Sequence, residues 1–177
     1  MSPLIRETTR ASLVRTSVLW FGAVLLACLF GFPPKGRGQA YVGKVHRVVD
    51  GDTIHLLRGT GKIVRIQLYG VDAPEQGQPF GAAATRAVRR AVFRERTEAV
   101  ARGHDEEGRP LFVVSVGDRR LNEQLIRDGL AWWDRRQAPT EDRLRRLEKK
   151  AQVAERGLWA QPTPVPPWTW RAQRRDR

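Results

Sequence analysis

The sequence predicts an α+β domain in which five short strands form a small β-barrel and about three helices pack against it. The chain has 177 residues, of which 41% are hydrophobic, enough for the core of one domain. Three extended runs follow one another with only tight turns between them, which is typical of a meander and not of βαβ units. Two more strands follow the first helical stretch. Five strands in a domain of this size favour a closed or partly open barrel, and the OB-fold is the leading candidate.

The strands are predicted from alternating apolar and polar residues and from the turn signals between them. In the third run, Arg65, Gln67 and Tyr69 fall on one face because side chains alternate along a strand. The five runs are expected to pair as an antiparallel set. The predicted strands are residues 41–49, 53–57, 63–69, 98–102 and 111–116.

The helices are predicted from apolar residues spaced three and four apart. Residues 78–95 combine an apolar stripe with an opposite face of arginines. Residues 121–127 form a short helix, and Gly129 suits its left-handed C-terminal cap. A third helix is expected to begin after Thr140 as its N-cap and to end at Gly157.

The chain divides into three parts by composition. In residues 1–40, three arginines precede an uncharged apolar run at residues 17–32, and small residues lie before Tyr41, which indicates an export signal cut after Ala40. The alternative is an uncleaved membrane anchor, although 16 residues are fewer than the roughly 20 that a spanning helix needs. Residues 41–160 form the folded domain. Residues 161–177 form a basic tail that contains proline and tryptophan. We therefore expect an exported protein, periplasmic or secreted, unless residues 17–32 anchor it.

The charge of the chain favours a polyanionic partner. The formal net charge is +13, and residues 41–177 retain +9 of it, so the mature chain is itself basic. The single cysteine, Cys28, lies in the apolar run, and the mature domain would therefore have no disulfide. Nothing in the sequence implies a stable protein partner, and we expect a monomer.

Two acidic stretches stand out in this basic chain. Asp50 and Asp52 lie in the turn after the first strand, and Asp72 and Glu75 follow the third strand. Carboxylates gathered at strand ends are a natural site for a hard cation such as Ca²⁺, which prefers oxygen ligands. A cation ringed by arginines would suit a phosphate substrate, and a metal-dependent nuclease is the first hypothesis.

The sequence resembles the staphylococcal nuclease (thermonuclease-like) family over about residues 41–159. Each motif is weak alone, but the five occur in the family's order at suitable spacing. The resemblance implies an OB-fold barrel with packed helices and the hydrolysis of DNA and RNA phosphodiesters with Ca²⁺. The motifs are Val49-Asp-Gly-Asp-Thr-Ile54, Tyr69-Gly-Val-Asp-Ala-Pro-Glu75, Asp105-x-x-Gly108-Arg109, Leu121-Asn122 through Gly129-Leu130-Ala131, and Arg156-Gly157-Leu158-Trp159.

The resemblance implies roles for the acidic residues. Asp52 and Asp72 match the family's metal-binding carboxylates, and the carbonyl of Ala73 matches its main-chain ligand. Asp50 would lie behind them and orient water and ligands. Glu75 matches the family's glutamate that is proposed as general base toward the attacking water.

The cationic half of the site departs from the family pattern. Arg109 matches the family's second phosphate-binding arginine. The first arginine is expected five residues before the second metal aspartate, and this position holds Gln67. The nearest arginine is Arg65, about 6.6–6.8 Å away along the same face of the strand. Without that charge-assisted contact we expect activity to be weakened, on the order of 10²–10³-fold.

An aromatic side chain for base stacking is also missing from its expected place, where Glu107 stands. Tyr69 is the candidate substrate-binding aromatic. Trp132 and Trp133 are alternatives, although core packing is the favoured interpretation for both.

Three hypotheses follow. The first is an exported Ca²⁺-dependent nuclease that acts on DNA or RNA, single-stranded nucleic acid included, with low sequence specificity. The second is an OB-fold module that binds nucleic acid with weak or no catalysis, because Gln67 replaces an arginine. The third, based only on export and charge, is an envelope protein that binds an anionic polymer.

Overall fold

The barrel is built from five strands whose apolar faces point to one core. The structure, a computed structural model, describes residues 39–175. The barrel strands are β1 (Ala40–Val48), β2 (Thr53–Arg58), β3 (Ile63–Leu68), β5 (Arg96–His104) and β6 (Pro110–Val116).

The barrel closes through one parallel pair. β1 pairs with β2 and with β5, β2 pairs with β3, and β5 pairs with β6, all antiparallel. β3 then pairs with β6 in parallel, with Gln67 opposite Leu111 and Leu68 opposite Phe112. The prediction of a five-stranded α+β barrel is confirmed, but the expectation of a purely antiparallel set is wrong. The two strands of the closing pair are distant in the chain and are not joined by a tight turn. The turn signals in the sequence therefore do not predict whether these strands pair in parallel or antiparallel.

Three two-residue strands lie outside the barrel. β4 (Val71–Asp72) pairs with β8 (Trp132–Trp133), and β7 (Arg119–Arg120) extends the sheet beside β6. The pairing of β4 with β8 matters for the site, because it fixes the backbone of Asp72 opposite Trp132.

Within residues 39–175 the structure contains four α-helices, one more than predicted. The first begins after Phe80, whose φ is 68°, and so starts later than the predicted residue 78. The third begins at Asp142 with Glu141 as N-cap and no side-chain capping bond, so the prediction of Thr140 as the cap is wrong. The third helix also ends earlier than expected, and a 3₁₀ turn, Gly157–Ala160, follows it. The helices are α1 (Gly81–Val92), α2 (Leu121–Arg127), α3 (Asp142–Val153) and α4 (Pro167–Arg175).

The additional helix, α4, lies in the segment predicted as a tail. Pro167 occupies its first position, where the missing N–H costs nothing and the fixed φ is suitable. Trp168 packs edge-to-face on Trp132, with ring centroids 6.5 Å apart. This segment therefore contacts the domain and contributes to the surroundings of the site.

The core joins the barrel interior to α1 and α2. Most inward residues of β2 and β3 are fully buried, and Val64 is partly buried against the same core. Ala84 and Val88 of α1 and Leu125 and Ile126 of α2 cover this core. The buried side chains of the strands include Ile54, Leu56, Ile66, Leu68, Phe112 and Val114.

The predicted signal or anchor, residues 1–40, lies almost wholly outside the described residues, as does Cys28. Among residues 39–175, no helix is both long enough and apolar enough to cross a membrane.

Candidate active site

The pairing of β2 with β3 brings the two acidic stretches together. Thr53, at the start of β2, lies opposite Gln67, near the end of β3. The N–H of Leu68 donates to the carbonyl of Asp52 over 2.9 Å. Asp52 therefore lies beside the strand that leads into Asp72 and Glu75. The two acidic stretches therefore meet at this end of the barrel.

The turn before β2 is held by Asp50. Its Oδ1 accepts from the N–H of Asp52 at 3.1 Å and from the N–H of Thr53 at 2.7 Å, which is an Asx turn. At Gly51, a Cβ would come within 2.6 Å of the Ala73 Cβ and 2.7 Å of the Ala84 Cβ. The turn therefore packs closely on the second acidic stretch and on α1. Asp50 therefore orients the turn that carries Asp52.

The carboxylate of Asp52 is buried and accepts several hydrogen bonds. Its Oδ1 accepts from Thr53 Oγ1 at 3.1 Å and from Gln67 Nε2 at 2.9 Å, and its Oδ2 accepts from the N–H of Ala73 at 2.9 Å. Burial raises the pKa of Asp52 well above its usual range, and the neighbouring charges of Asp50 and Asp72 raise it further. A bound cation would relieve that penalty.

The second acidic segment is held rigidly from both sides. Asp72 pairs through its backbone with Trp132, and a Cβ on Gly81 would come within 2.1 Å of the carbonyl oxygen of Glu75. The side chain of buried Gln78 accepts from the N–H of Glu75 at 2.9 Å and donates to the carbonyl of Val165 at 2.6 Å. Gln78 thus links the segment of Glu75 to the chain that leads into α4.

The nearest cation to these carboxylates comes from α4. Arg171 forms a fork on Asp72, with Nη1 to Oδ1 at 3.0 Å and Nη2 to Oδ2 at 2.8 Å. Its Nη1 also donates to Glu75 Oε1 at 2.6 Å. Burial raises the pKa of the Asp72 carboxyl, and the contacts with Arg171 oppose that rise. The two carboxylates therefore converge on one positive group.

Gln67 and Arg65, both on β3, lie beside the acidic residues. Gln67 reaches Asp52 directly, and Arg65 Nη2 donates to Gln67 Oε1 at 3.1 Å. Arg65 is thus connected to Asp52 only through Gln67. In the described part of the chain it makes no ion pair with Asp72 or Glu75.

Arg109 lies at the rim of the same cleft. The parallel pairing of β3 with β6 brings the loop before β6 next to Gln67. The Arg109 side chain is largely exposed and pairs with Asp105 at 2.6 Å and with Glu107 at 2.7 Å. It is therefore available from solvent but does not contact the carboxylates of Asp72 and Glu75.

A cleft of about 1210 Å³ joins these groups. It contains all the predicted site residues except Tyr69. Tyr69 lies elsewhere, near Arg102 and Glu141, and its ring packs 3.1 Å from the position of a Cβ on Gly103. Trp132 and Trp133 are buried, as the core interpretation predicts. The predicted residues in the cleft lining are Asp50, Asp52, Arg65, Gln67, Asp72, Ala73, Glu75 and Arg109.

The donor set fits a hard divalent cation. Asp52, Asp72 and Glu75 offer carboxylate oxygens, the ligands that Ca²⁺ prefers. The guanidinium held by Asp72 and Glu75 demonstrates that these two carboxylates meet on one cation. In residues 39–175 no group of three His, Cys, Asp or Glu side chains is arranged to hold a metal ion, and Asp72 and Glu75 both contact Arg171. A metal would therefore share or displace that contact.

Sequence reasoning missed two contacts made by side chains next to the candidate site, those of Arg171 and Gln78. Arg171 lies 99 residues from Asp72, and no periodicity connects the two. The available signal was Pro167 followed by helix-forming residues, which predicts a helix start without saying where the helix docks. Gln78 was assigned only to the start of a helix.

Comparison with known proteins gives one family. Residues 65–161 match the family described as staphylococcal nuclease homologue. The match includes Asp72, Glu75 and Arg109 and excludes Asp52 and Arg171, which lie outside its bounds.

Several bacterial proteins are similar over most of the chain. A protein named micrococcal nuclease from Shigella flexneri is 34% identical over 139 residues, covering 73% of this chain and 79% of the relative. An uncharacterized endonuclease from Escherichia coli O157:H7 is 38% identical over 130 residues, covering 73% and 84%. Protein ParB from Escherichia coli is 35% identical over 145 residues, covering 76% and 81%.

Proposed function

This chain belongs to the staphylococcal nuclease family, and we propose that it is an exported nuclease that uses Ca²⁺ to cleave DNA or RNA with low sequence specificity. Membership of the family makes it a phosphodiester hydrolase. The observation that carries the proposal is that Asp72 and Glu75 both contact one positive group, the guanidinium of Arg171, next to the buried carboxylate of Asp52. Two of the relatives are named nuclease or endonuclease, which favours cleavage within a strand.

The cation would be held by the carboxylates of Asp52 and Asp72 and by the carbonyl of Ala73. When bound, Ca²⁺ would neutralise charge on the phosphate and lower the pKa of a bound water. The rigid backbone at Asp72 and the Asx turn before Thr53 keep these ligands in place without the metal. Little reorganisation would then be needed during catalysis.

Glu75 is positioned to act on the attacking water. Its side chain is half-buried in the cleft, and its main-chain N–H donates to the side chain of Gln78. Glu75 would take a proton as the water oxygen bonds to phosphorus, while the bond from phosphorus to the leaving sugar oxygen breaks and that oxygen takes up a proton. Arg109 would approach from the rim and neutralise the phosphate oxygens.

Low sequence specificity follows from the composition of the cleft. Its lining is rich in carboxylates and arginines, which can hold a metal ion and the phosphates that every nucleotide carries. A single-stranded substrate suits a cleft whose phosphate-facing groups are concentrated at one end of the barrel. The basic surface would add affinity that falls with salt. We expect the protein to act as a monomer.

Activity in the presence and absence of the metal tests the proposal. The purified protein should degrade single-stranded DNA or RNA in Ca²⁺, and excess EDTA should abolish the cleavage. Binding of the same strands without any Ca²⁺-dependent cleavage would favour a binding module instead. Export is tested by N-terminal sequencing, which should begin at Tyr41, whereas retention of residues 1–40 would indicate an anchor.

A further inference from the structure

The C-terminal helix places a guanidinium where the barrel strand has none. We propose that Arg171 is a phosphate-binding residue of this active site, so that α4 supplies the positive charge that Gln67 does not. The inference rests on the proposed nuclease function and extends it. It concerns how the cleft binds the phosphates of the substrate.

The arginines that line the cleft differ in the side chains they contact. Arg65 is held by Gln67, and Arg109 pairs with Asp105 and Glu107 at the rim. Among the described residues, Arg171 is the one arginine that pairs with Asp72 or Glu75. A phosphate positioned for attack by a water on Glu75 would therefore lie within reach of Arg171.

The position of Arg171 is fixed by independent contacts. Gln78 donates to the carbonyl of Val165, two residues before α4 begins. Trp168 packs on Trp132, the residue that pairs with Asp72. The helix is thus tied to both ends of the segment that runs from Asp72 to Gln78. Such anchoring keeps the guanidinium at the carboxylates with little loss of entropy on substrate binding.

The same helix face carries two more arginines. Arg174 and Arg175 follow Arg171 by three and four residues and also line the cleft. Both are exposed. The helix therefore presents a row of guanidinium groups along one wall, which suits the spaced phosphates of a nucleic-acid strand.

A metal would change the partner of Arg171. Arg171 occupies both oxygens of Asp72, which are the oxygens that a divalent cation would need. A cation on Asp72 would release the fork, and a phosphate offers two oxygens in the same planar arrangement. Lysine could not copy this bidentate contact. Arg171 is therefore expected to contribute to substrate binding chiefly when the metal is present.

Oligonucleotide binding with and without Ca²⁺ tests the proposal. Fluorescence anisotropy of a labelled single-stranded DNA would be measured with the full chain carrying Glu75→Gln, to prevent cleavage. In saturating Ca²⁺, Arg171→Gln should weaken binding on the order of ten- to a hundred-fold, the range for a lost contact between charged groups. In EDTA the same substitution should have little effect, because Arg171 then occupies Asp72. Arg171→Lys should recover only part of the loss.

Two further variants separate a binding role from a structural one. Arg89→Ala removes one exposed arginine of α1, outside the cleft, and should change binding far less than Arg171→Gln. Adding Gln67→Arg to the Arg171→Gln protein should restore much of the Ca²⁺-dependent binding, because it returns a positive charge to the cleft. If Arg171→Gln acted only by disturbing the folding of α4, a substitution on β3 would not restore binding. Thermal unfolding of each variant verifies that it is folded.

Several results would overturn the proposal. Arg171→Gln could bind the strand in Ca²⁺ as tightly as its parent or more tightly, which would make Arg171 only a competitor of the metal. An equal loss in EDTA, or no recovery with Gln67→Arg, would indicate a structural role. If the otherwise unmodified protein failed to cleave in Ca²⁺ while Arg171→Gln still lost binding, the nuclease function would fail and Arg171 would remain a binding residue.

Discussion

Asp52 illustrates how a single residue prepares a cation site. Its carboxylate is removed from solvent, yet three donors on Thr53, Gln67 and Ala73 hold it in one orientation. Burial and the charge of Asp50 still disfavour the ionised form, so the pKa of the Asp52 carboxyl is raised. In the metal-free protein the ionised carboxylate of Asp52 is therefore disfavoured by its surroundings, but it is already held in one orientation for a cation.

Replacing Asp52 should separate stability from function. Asp52→Asn removes the buried charge, and its amide can retain the bond from Ala73 while Gln67 reverses its own amide. We expect the metal-free variant to unfold at higher denaturant concentration than the natural protein at pH 7, and to lose Ca²⁺ binding and cleavage. Urea unfolding with EDTA and calcium titration calorimetry provide the two measurements.

The pH dependence of that stability difference has a definite sign. Because the folded-state pKa of Asp52 is raised above the unfolded value, folding favours the protonated form. The resulting stabilisation is present at low pH and is lost as the pH rises through the folded-state pKa. The advantage of Asp52→Asn should therefore be largest near neutral pH and shrink on acidification. An advantage that stayed constant or grew on acidification would contradict this explanation.

At the residue scale, the sequence predicts the acidic half of the site better than the cationic half. Asp52, Asp72 and Glu75 lie in short motifs whose turn residues fix the local backbone, and Gly51 is required by the close approach of Ala73. Arg171 has no such local signal, since its position depends on how α4 docks. The roles assigned to individual residues remain predictions, although their positions in the cleft are now defined.

At the scale of elements, α4 depends on a few contacts outside the barrel. Its first turn packs through Trp168 on Trp132, and Trp132 also contacts Trp159 at 5.5 Å. The aromatic cluster joins α4, β8 and the 3₁₀ turn after α3. Apolar periodicity in the tail sequence is too short to predict this docking, and the helix that begins at Pro167 was not predicted.

Removing one member of the aromatic cluster should loosen α4. Trp168→Ala is expected to destabilise the protein by about 1–2 kcal/mol, because Trp168 is partly exposed and its contact is one aromatic pair plus buried area. It should also weaken Ca²⁺-dependent oligonucleotide binding, less than Arg171→Gln does. Urea unfolding measures the first effect and anisotropy the second.

Trp168→Phe is the matched control, since it retains a ring against Trp132. The control should recover much of both losses. Unchanged stability and binding in Trp168→Ala would mean that the Trp168 contact does not position α4.

For the whole molecule, the barrel sets the site by joining distant segments. The antiparallel meander places Asp52 beside the end of β3, and the parallel pair places the loop of Arg109 beside the same strand. The meander could be predicted from alternation, but the direction of the closing pair could not, because it joins segments far apart in the chain. The formal net charge of +13 favours the approach of polyanions to the protein as a whole.

The central claim is that this cleft hydrolyses phosphodiesters through Glu75. Its most direct test is the initial rate of single-stranded DNA cleavage in saturating Ca²⁺ by the natural protein, by Glu75→Gln and by Glu95→Gln, an exposed glutamate outside the cleft. We predict that Glu75→Gln lowers the rate by about 10²–10⁴-fold, as expected for loss of a general base, while Glu95→Gln leaves it within about twofold. Equal rates for all three proteins would contradict the claim.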